Sequence, residues 1–196
     1  MDDVVGDGPR KRGRPTRSER EQRREQILDA AVRLFLEHGY GGVSLDRLAA
    51  DAKVTKRTIY VYVGDKTAVF TAVVSRLNRD VLPEGEVADL EAMAVRLVMT
   101  LHSDVAIGLH RMVIAEVKQF PELAKSFYAA GPQRYIDALG ELLETSGTEA
   151  EQLFALLLGE RHRRRLLGLD PAPSRAEAAE HAQAALQALD RGVGRT

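Results

Sequence analysis

Lys56, Arg57, Thr58 and Tyr60 crowd into one short stretch of the chain. They offer an ammonium, a guanidinium, a hydroxyl and a phenol, groups that can hydrogen-bond base edges and phosphates. Arginine can bridge guanine O6 and N7, and threonine can bond a base or a phosphate. An apolar side chain such as Val61 can touch a thymine methyl. One good bidentate pair is worth about 1–3 kcal/mol of discrimination between bases. On a helical wheel, Ile59 and Val63 fall on one side. Arg57 and Val61 fall opposite, flanked by Thr58 and Tyr60, with Lys56 near the N-terminal end. The inner pair would hold such a helix down while the outer set faces a groove.

The elements around this stretch predict how it is held. Residues 44–70 read SLDRLAADAKVTKRTIYVYVGDKTAVF. Ser44 can cap a short helix bearing Leu45, Leu48, Ala49 and Ala52. Residues 50–54 make a turn, and Thr55 can cap the helix carrying the polar face. Two short helices joined by a tight turn form a helix-turn-helix pattern, whose second helix enters the major groove. Gly64 breaks the second helix and Asp65 can cap a fourth. Lys66 then occupies the first turn of that fourth helix, where the helix dipole disfavours a cation. A DNA phosphate would reverse that sign; a solvated lysine is the plainer alternative. The Tyr62 ring can pack inward while its hydroxyl reaches a phosphate. Ser44 has two readings, helix cap or DNA contact.

The rest of the chain is helical in pattern. Ser18 and Glu21 have capping-box spacing at the head of a first helix through Ile27, Ala31, Leu34 and Phe35. Gly39 stands where a glycine would end it. Helices are expected over residues 87–102, 105–120, 148–167 and 174–189. Residues 121–145 are expected as one long helix kinked at Gly131-Pro132, or as two. No stretch alternates long enough to be a strand. The expectation is an all-α fold of about nine helices, with a basic arm at 1–17, a DNA-reading domain at 18–64 and a helical domain at 65–196.

Composition narrows the function classes. The 44% hydrophobic content suffices for a core, and the absence of Cys removes disulfides and thiolate metal sites. No apolar run approaches the roughly 20 residues of a membrane span, so no membrane partner is expected, and a cytoplasmic location fits. Residues 9–66 carry 14 Lys and Arg against 8 Asp and Glu, whereas residues 71–196 carry 14 against 18. A basic module joined to an acidic one suggests a nucleic-acid reader attached to something else. In the arm, Lys11 to Arg17 reads KRGRPTR. Arg12 and Arg14 could enter an A·T-rich minor groove, or the arm could be a solvated tail.

Residues 27–70 resemble the N-terminal domain of the TetR family of bacterial transcriptional regulators. The stretches that carry the resemblance are ILDAAVRLF (27–35), HGY (38–40), VSL (43–45), LA (48–49), VTKRTIYVYV (54–63) and DKTAVF (65–70). Family members usually have Phe where Val63 stands, often His at Tyr62, and Glu-Ala-Leu at residues 67–69. These departures leave the fold assignment intact and the choice of bases open. By position, the resemblance implies DNA contacts at Ser44, Lys56, Arg57, Thr58, Tyr60, Tyr62 and Lys66. Residues 110–132 are similar to the C-terminal domain of an AefR-like subgroup.

The resemblance also implies a homodimer built from the last two helices, reading a palindromic operator in double-stranded DNA. Interface candidates are Leu158 and His162 with Ala178, His181, Ala182, Ala185 and Leu189; intramolecular core is the alternative for the same stripe. Residues 161–165 (RHRRR) are expected as a solvated or salt-bridging face. The middle helices should hold a pocket for a small, largely apolar effector. Candidate lining residues are Met93, Leu97, Leu101 and His110, then Phe120, Phe127, Tyr128 and Phe154, with Met112 beside them; plain core is the alternative for each.

The leading expectation is a ligand-responsive repressor that releases its operator when the effector binds. An effector-independent architectural DNA binder and a transcriptional activator are the alternatives. No cofactor and no enzymatic activity are expected. The five histidines, at 38, 102, 110, 162 and 181, are scattered in sequence, without a zinc-ligand pair at helical spacing.

Overall fold

The computed structural model describes residues 16–82, 89–144 and 147–193. Arg12 and Arg14, and the groove-insertion reading of the arm, lie outside the described residues. Among the described residues ten helices follow one another: α1 (Arg17–His38), α2 (Leu45–Asp51), α3 (Lys56–Tyr62), α4 (Lys66–Val81), α5 (Leu90–Leu101), α6 (Asp104–Glu116), α7 (Pro121–Ala130), α8 (Pro132–Leu143), α9 (Thr148–Leu166) and α10 (Arg175–Val193). The fold among the described residues is all-α, as the sequence predicts.

Local chemistry sets most boundaries. Ser44, Thr55 and Asp65 each cap the following helix by accepting from a backbone N–H three residues on. The start of α1 differs from expectation. Thr16 rather than Ser18 is the cap, and the capping box pairs it with Glu19. Thr16 therefore adds half a turn to the basic end of α1. Ser174 and Glu177 form the same reciprocal pair at the head of α10. Gly131-Pro132 splits residues 121–143 into two separate helices, because Pro132 has no N–H to continue the ladder.

The turn between α2 and α3 is closed by two reverse bonds, Lys53 N–H to Ala50 and Val54 N–H to Ala49. This is the pattern of a Schellman ending. It places Lys53 in the left-handed region at φ 51. Gln26 of α1 reaches across and donates to the Ala52 carbonyl at 2.9 Å. The turn is thus fixed from both sides.

Two apolar clusters organise the chain, and they do not divide it at residue 64. The first joins α1–α4 to α6 and α7, with Ile27, Phe35, Leu48, Ile59 and Phe70 against Leu109 and Leu123. The second joins α5, α8, α9 and α10 around Met93, Leu97, Tyr135, Leu153 and Leu157. Helix α4 belongs to both, through Val69–Val74 at one end and Val81 at the other. Arg76 and Arg79 tie it to Glu25 and Asp29 of α1 at 2.6–3.4 Å. The buried Asn78 donates to the Ala130 carbonyl at the end of α7.

The expected interface stripe is core. Ala178, Ala182, Ala185 and Leu189 are buried within the single chain, where α10 lies on α5 and α9. Small side chains there allow close approach of helices inside one protomer. Leu158 is partly buried beside the same cluster and His162 is buried, so these two are not free interface residues either.

Helix α9 is broken. Gly159 has φ 59 and ψ −168, a backbone region essentially reserved for glycine. The break leaves carbonyls of the preceding turn without helical partners. The His181 Nε2–H donates to Leu156 and Leu157 carbonyls at 3.1 and 2.9 Å. The His102 Nε2–H donates to Leu157 as well, at 3.2 Å. A Cβ at position 159 would stand 3.0 Å from the His181 ring. The apolar run of residues 153–158 hid this kink from sequence reading.

Candidate DNA-reading surface and effector cavity

Helix α3 presents its faces as the wheel requires. Ile59 is fully buried beneath it, with Val63 and Tyr62 packed against the same cluster. On the outer side Val61 is 71% exposed and Tyr60 53% exposed, beside the exposed Lys56 and Arg57. An apolar residue this open on a rigid, capped helix suits a thymine methyl. The Thr58 hydroxyl pairs with that of Thr55 at 2.8 Å, at the helix cap. The Lys56 ammonium pairs with Asp46 of α2 at 3.0 Å. Both lysine and carboxylate are exposed, so the pair is weak and a phosphate can displace it.

Ser44 has its hydroxyl engaged with the Arg47 N–H at 3.1 Å. The cap role is realised, and the hydroxyl oxygen keeps a proton to donate. Tyr62 resolves toward packing of its ring.

Lys66 departs from expectation. Its ammonium is turned into the protein, donating to the Tyr40 carbonyl at 3.0 Å. It stands 4.2 Å from the Tyr40 ring centroid and 5.5 Å from that of Phe120. Burial pushes its pKa down, opposed by the Glu116 carboxylate. A carbonyl and two ring faces thus take the place of the anticipated phosphate. Sequence reading missed the acceptor because Tyr40 is distant along the chain and its carbonyl has no residue signature.

Glu116 completes this junction. Its carboxylate accepts from the N–H groups of Tyr40 at 2.7 Å and Gly41 at 2.6 Å. A Cβ at Gly41 would sit 3.2 Å from both the Glu116 carboxylate and the Phe120 ring. Glycine there eases the close approach of α6 to the turn after α1. Tyr40 also pairs its hydroxyl with Thr67 of α4 at 3.0 Å and meets Phe35, Phe70 and Phe120 with its ring. Phe120 belongs to this joint and not to a ligand pocket.

A small, mostly apolar cavity of about 70 Å³ lies among α4–α9. Leu101, His110, Phe127 and Phe154 line it, as the sequence suggested. Met93 and Leu97 are buried in the second cluster, Met112 in the first, and Tyr128 is 51% exposed; none of these four lines the cavity. Leu158 and His162, expected at an interface, line it instead. So do Val74 and Leu77 of α4 and Tyr135 of α8, whose residue types give no signal beyond helical spacing.

Four of the five histidines meet beside this cavity. Ring centroids stand 5.3 Å apart for His110–His162, 5.5 Å for His102–His162 and 5.7 Å for His102–His181. Burial pushes His102 and His162 down to about 4, with the neighbouring histidines and Arg165 pushing the same way. His110 is lowered by burial. The rings of His102, His110 and His162 are therefore neutral at pH 7. Among the described residues no group of three or more side chains is arranged to hold a metal ion.

The cationic run is less solvated than expected. Arg165 is buried, donating to the His102 and Asp170 carbonyls and pairing with Asp104 at 2.6 Å. Arg164 makes a two-pronged pair with Asp170 at 2.8 and 2.9 Å. Arg161 and Arg163 pair with Glu177 and Glu160, as the salt-bridging reading has it. Among the described residues no single helix is long and apolar enough to cross a membrane.

Comparison with known proteins agrees with this layout. Residues 27–73 match the model of the bacterial regulatory proteins of the tetR family. Residues 88–189 match the C-terminal domain of AefR-like transcriptional repressors. An HTH-type transcriptional repressor of Streptomyces coelicolor is 38% identical over 60 residues, which are 31% of this chain and 31% of that protein. The regulator SrpR of Pseudomonas putida is 26% identical over 143 residues, covering 70% of this chain and 67% of its own. The chain thus spans about a third of the first relative and two thirds of the second. The solved structure of the flavonoid-responsive regulator FrrA superimposes with a TM-score of 0.66 at 27% identity, covering 88% of this chain and 97% of that one. With both halves of its length matched in order, the chain belongs to the TetR family of bacterial regulators, with a C-terminal domain of the AefR-like type.

Proposed function

We propose that this protein is a dimeric, sequence-specific DNA-binding repressor, released from its operator by a small apolar molecule. The observation that carries the DNA half is the face of α3. Arg57, Tyr60 and Val61 stand open on a helix that Ile59 anchors and Thr55 caps. Lys56, Arg57 and Tyr60 reach the base edges, Thr58 and Ser44 stand at the helix caps beside the backbone, and the Tyr62 hydroxyl reaches a phosphate. Arg12 and Arg14 of the arm add minor-groove or backbone contacts.

Two heads reading a palindrome require a twofold dimer. The buried alanine stripe cannot supply its interface. The outer faces of α9 and α10 fit better: Gln152, Ala155, Leu156 and Gly159, with Gln183, Ala184 and Gln187, are all exposed and uncharged. Depletion of charge is the compositional mark of an interface core. His181 lies at the edge of this face.

Release follows from where the cavity sits. An apolar cavity of roughly 150 Å³ holds a benzene, about twice the present volume. A ligand must therefore part the walls, and one wall is Val74 and Leu77 of α4. The same helix begins at Lys66, which grips Tyr40 next to the reading head. A shift of α4 changes the spacing of the two heads and so loses the half-site register. The ligand acts only through its differential affinity for the two states. FrrA's response to flavonoids supports an aromatic effector class.

Selection of bound fragments from random-sequence DNA tests this reading. Recovery of a palindrome with half-sites about one helical turn apart is expected. Leu156→Glu should give a folded monomer by sedimentation and abolish that selection. Enrichment of no sequence, or a Leu156→Glu protein that stays dimeric, would overturn it.

A further inference from the structure

The cavity has walls of one kind and a polar end of another. No Lys, Arg, Asp or Glu lines it. Phe127 lies against His110 at 5.3 Å and 31°, and Tyr135 stacks on Phe154 at 6.4 Å and 24°. His102 and His181 give their Nε2–H to α9 carbonyls, and although the His102 Nδ1 is buried without a partner, neither ring lines the cavity. His110 and His162 are the imidazoles that face the cavity, and they face each other.

Each neutral imidazole carries one donor nitrogen and one acceptor nitrogen. A hydroxyl is both donor and acceptor, so it can bridge two such rings whenever at least one of them presents its N–H. A ketone or ether only accepts. A carboxylate would be buried with no cation lining the cavity, which is strongly unfavourable. A plain hydrocarbon would cover the imidazole nitrogens without pairing them. The aromatic walls favour a flat ring behind the hydroxyl.

We propose that the cavity takes a neutral phenol, its ring among Phe127, Tyr135 and Phe154 and its hydroxyl bridging His110 and His162. This rests on reading the cavity as the effector site. Selectivity comes from the two imidazoles: a ligand without the hydroxyl leaves them desolvated and unpaired, the arrangement that discriminates most strongly. Charged neighbours of the pair are few. His102 stands beside His162, with Arg165 behind it tied to Asp104, and burial keeps the His162 ring neutral down to about pH 4.

Calorimetric titration of the full chain with 4-ethylphenol, 4-ethylanisole, ethylbenzene and 4-ethylbenzoate tests the proposal. The phenol should bind at least tenfold more tightly than the other three, with an affinity constant between pH 7 and 8.5. In the His110→Phe/His162→Phe variant the phenol should fall to the level of the anisole while ethylbenzene binding persists, which also reports an intact cavity. Equal binding of phenol and anisole, preference for benzoate, binding of none, or an unchanged preference in the variant would overturn it. Operator binding measured in the same samples separates the two readings. Specific DNA binding without phenol binding defeats the ligand assignment alone. Phenol binding that leaves operator affinity unchanged defeats the release mechanism and leaves the site standing.

Discussion

The Glu116 carboxylate holds Tyr40 by its backbone N–H at 2.7 Å, across 76 residues of sequence. Lys66 takes the carbonyl of the same residue, and Thr67 its hydroxyl. Tyr40 is thereby gripped by α6 and α4 together. Glu116→Gln should leave one acceptor oxygen for two N–H donors, so one of the two bonds is lost and the amide NH2 opposes a backbone N–H. Stability in urea should fall by about 1–2 kcal/mol, and the amides of Tyr40 and Gly41 should exchange faster. An unchanged urea midpoint with unchanged exchange would remove Glu116 from the joint.

Lys66 and Arg57 should separate cleanly in DNA binding. Arg57→Ala should weaken the preferred operator by about 1–3 kcal/mol and relax base preference at one position of each half-site. Lys66→Met should lower stability and leave the slope of log affinity against log salt unchanged, because its ammonium faces Tyr40 and not a phosphate. Anisotropy titrations across a salt series measure both. A shallower slope for Lys66→Met would restore the phosphate role.

Acid should unfold this protein through its histidines. Burial holds His102 and His162 at about 4 in the folded chain, against about 6.5 in the unfolded one. The folded pKa is depressed, so the unfolded state binds more protons between those values. Stability is therefore full above pH 6.5 and declines as pH falls toward 4. At pH 5 the loss is on the order of 2 kcal/mol per histidine. His102→Asn/His162→Asn should flatten the dependence of the urea midpoint on pH between 4 and 6.5. An equally steep profile in that variant would assign acid sensitivity elsewhere.

Lys53 occupies a left-handed position at φ 51 without being glycine. Lys53→Gly should relieve roughly 1 kcal/mol of backbone strain, partly offset by the added freedom of the unfolded chain. A rise of about 1–3 °C in melting temperature is expected for a chain of this size. A fall would mean that the Lys53 side chain itself holds the turn.

The reading head was legible because its signals are local. The caps at Ser44, Thr55 and Asp65 and the inward Ile59 are all fixed by neighbours within four residues. Lys66 was misjudged because its partner carbonyl comes from a turn that folds back from residue 40. The alanine stripe was legible as a close-packing surface, but spacing cannot tell whether the partner helix belongs to the same chain. Four of the histidines appeared scattered because they lie at the end of α5 and on α6, α9 and α10, and only packing joins them. Gly159 carried no warning, since one glycine inside a helical pattern is usually tolerated.

That glycine leaves a mark a geneticist could find. Its backbone admits no side chain, and the His181 ring occupies the space beside it. Trimming His181 would open the space and leave the backbone conflict in place. Rescue of a Gly159 substitution should thus come only as true reversion at codon 159, with no intragenic suppressor at 181. Saturation of the surrounding codons would show position 159 refusing even alanine, while its neighbours on that side of α9 refuse only the charges that would part the proposed dimer.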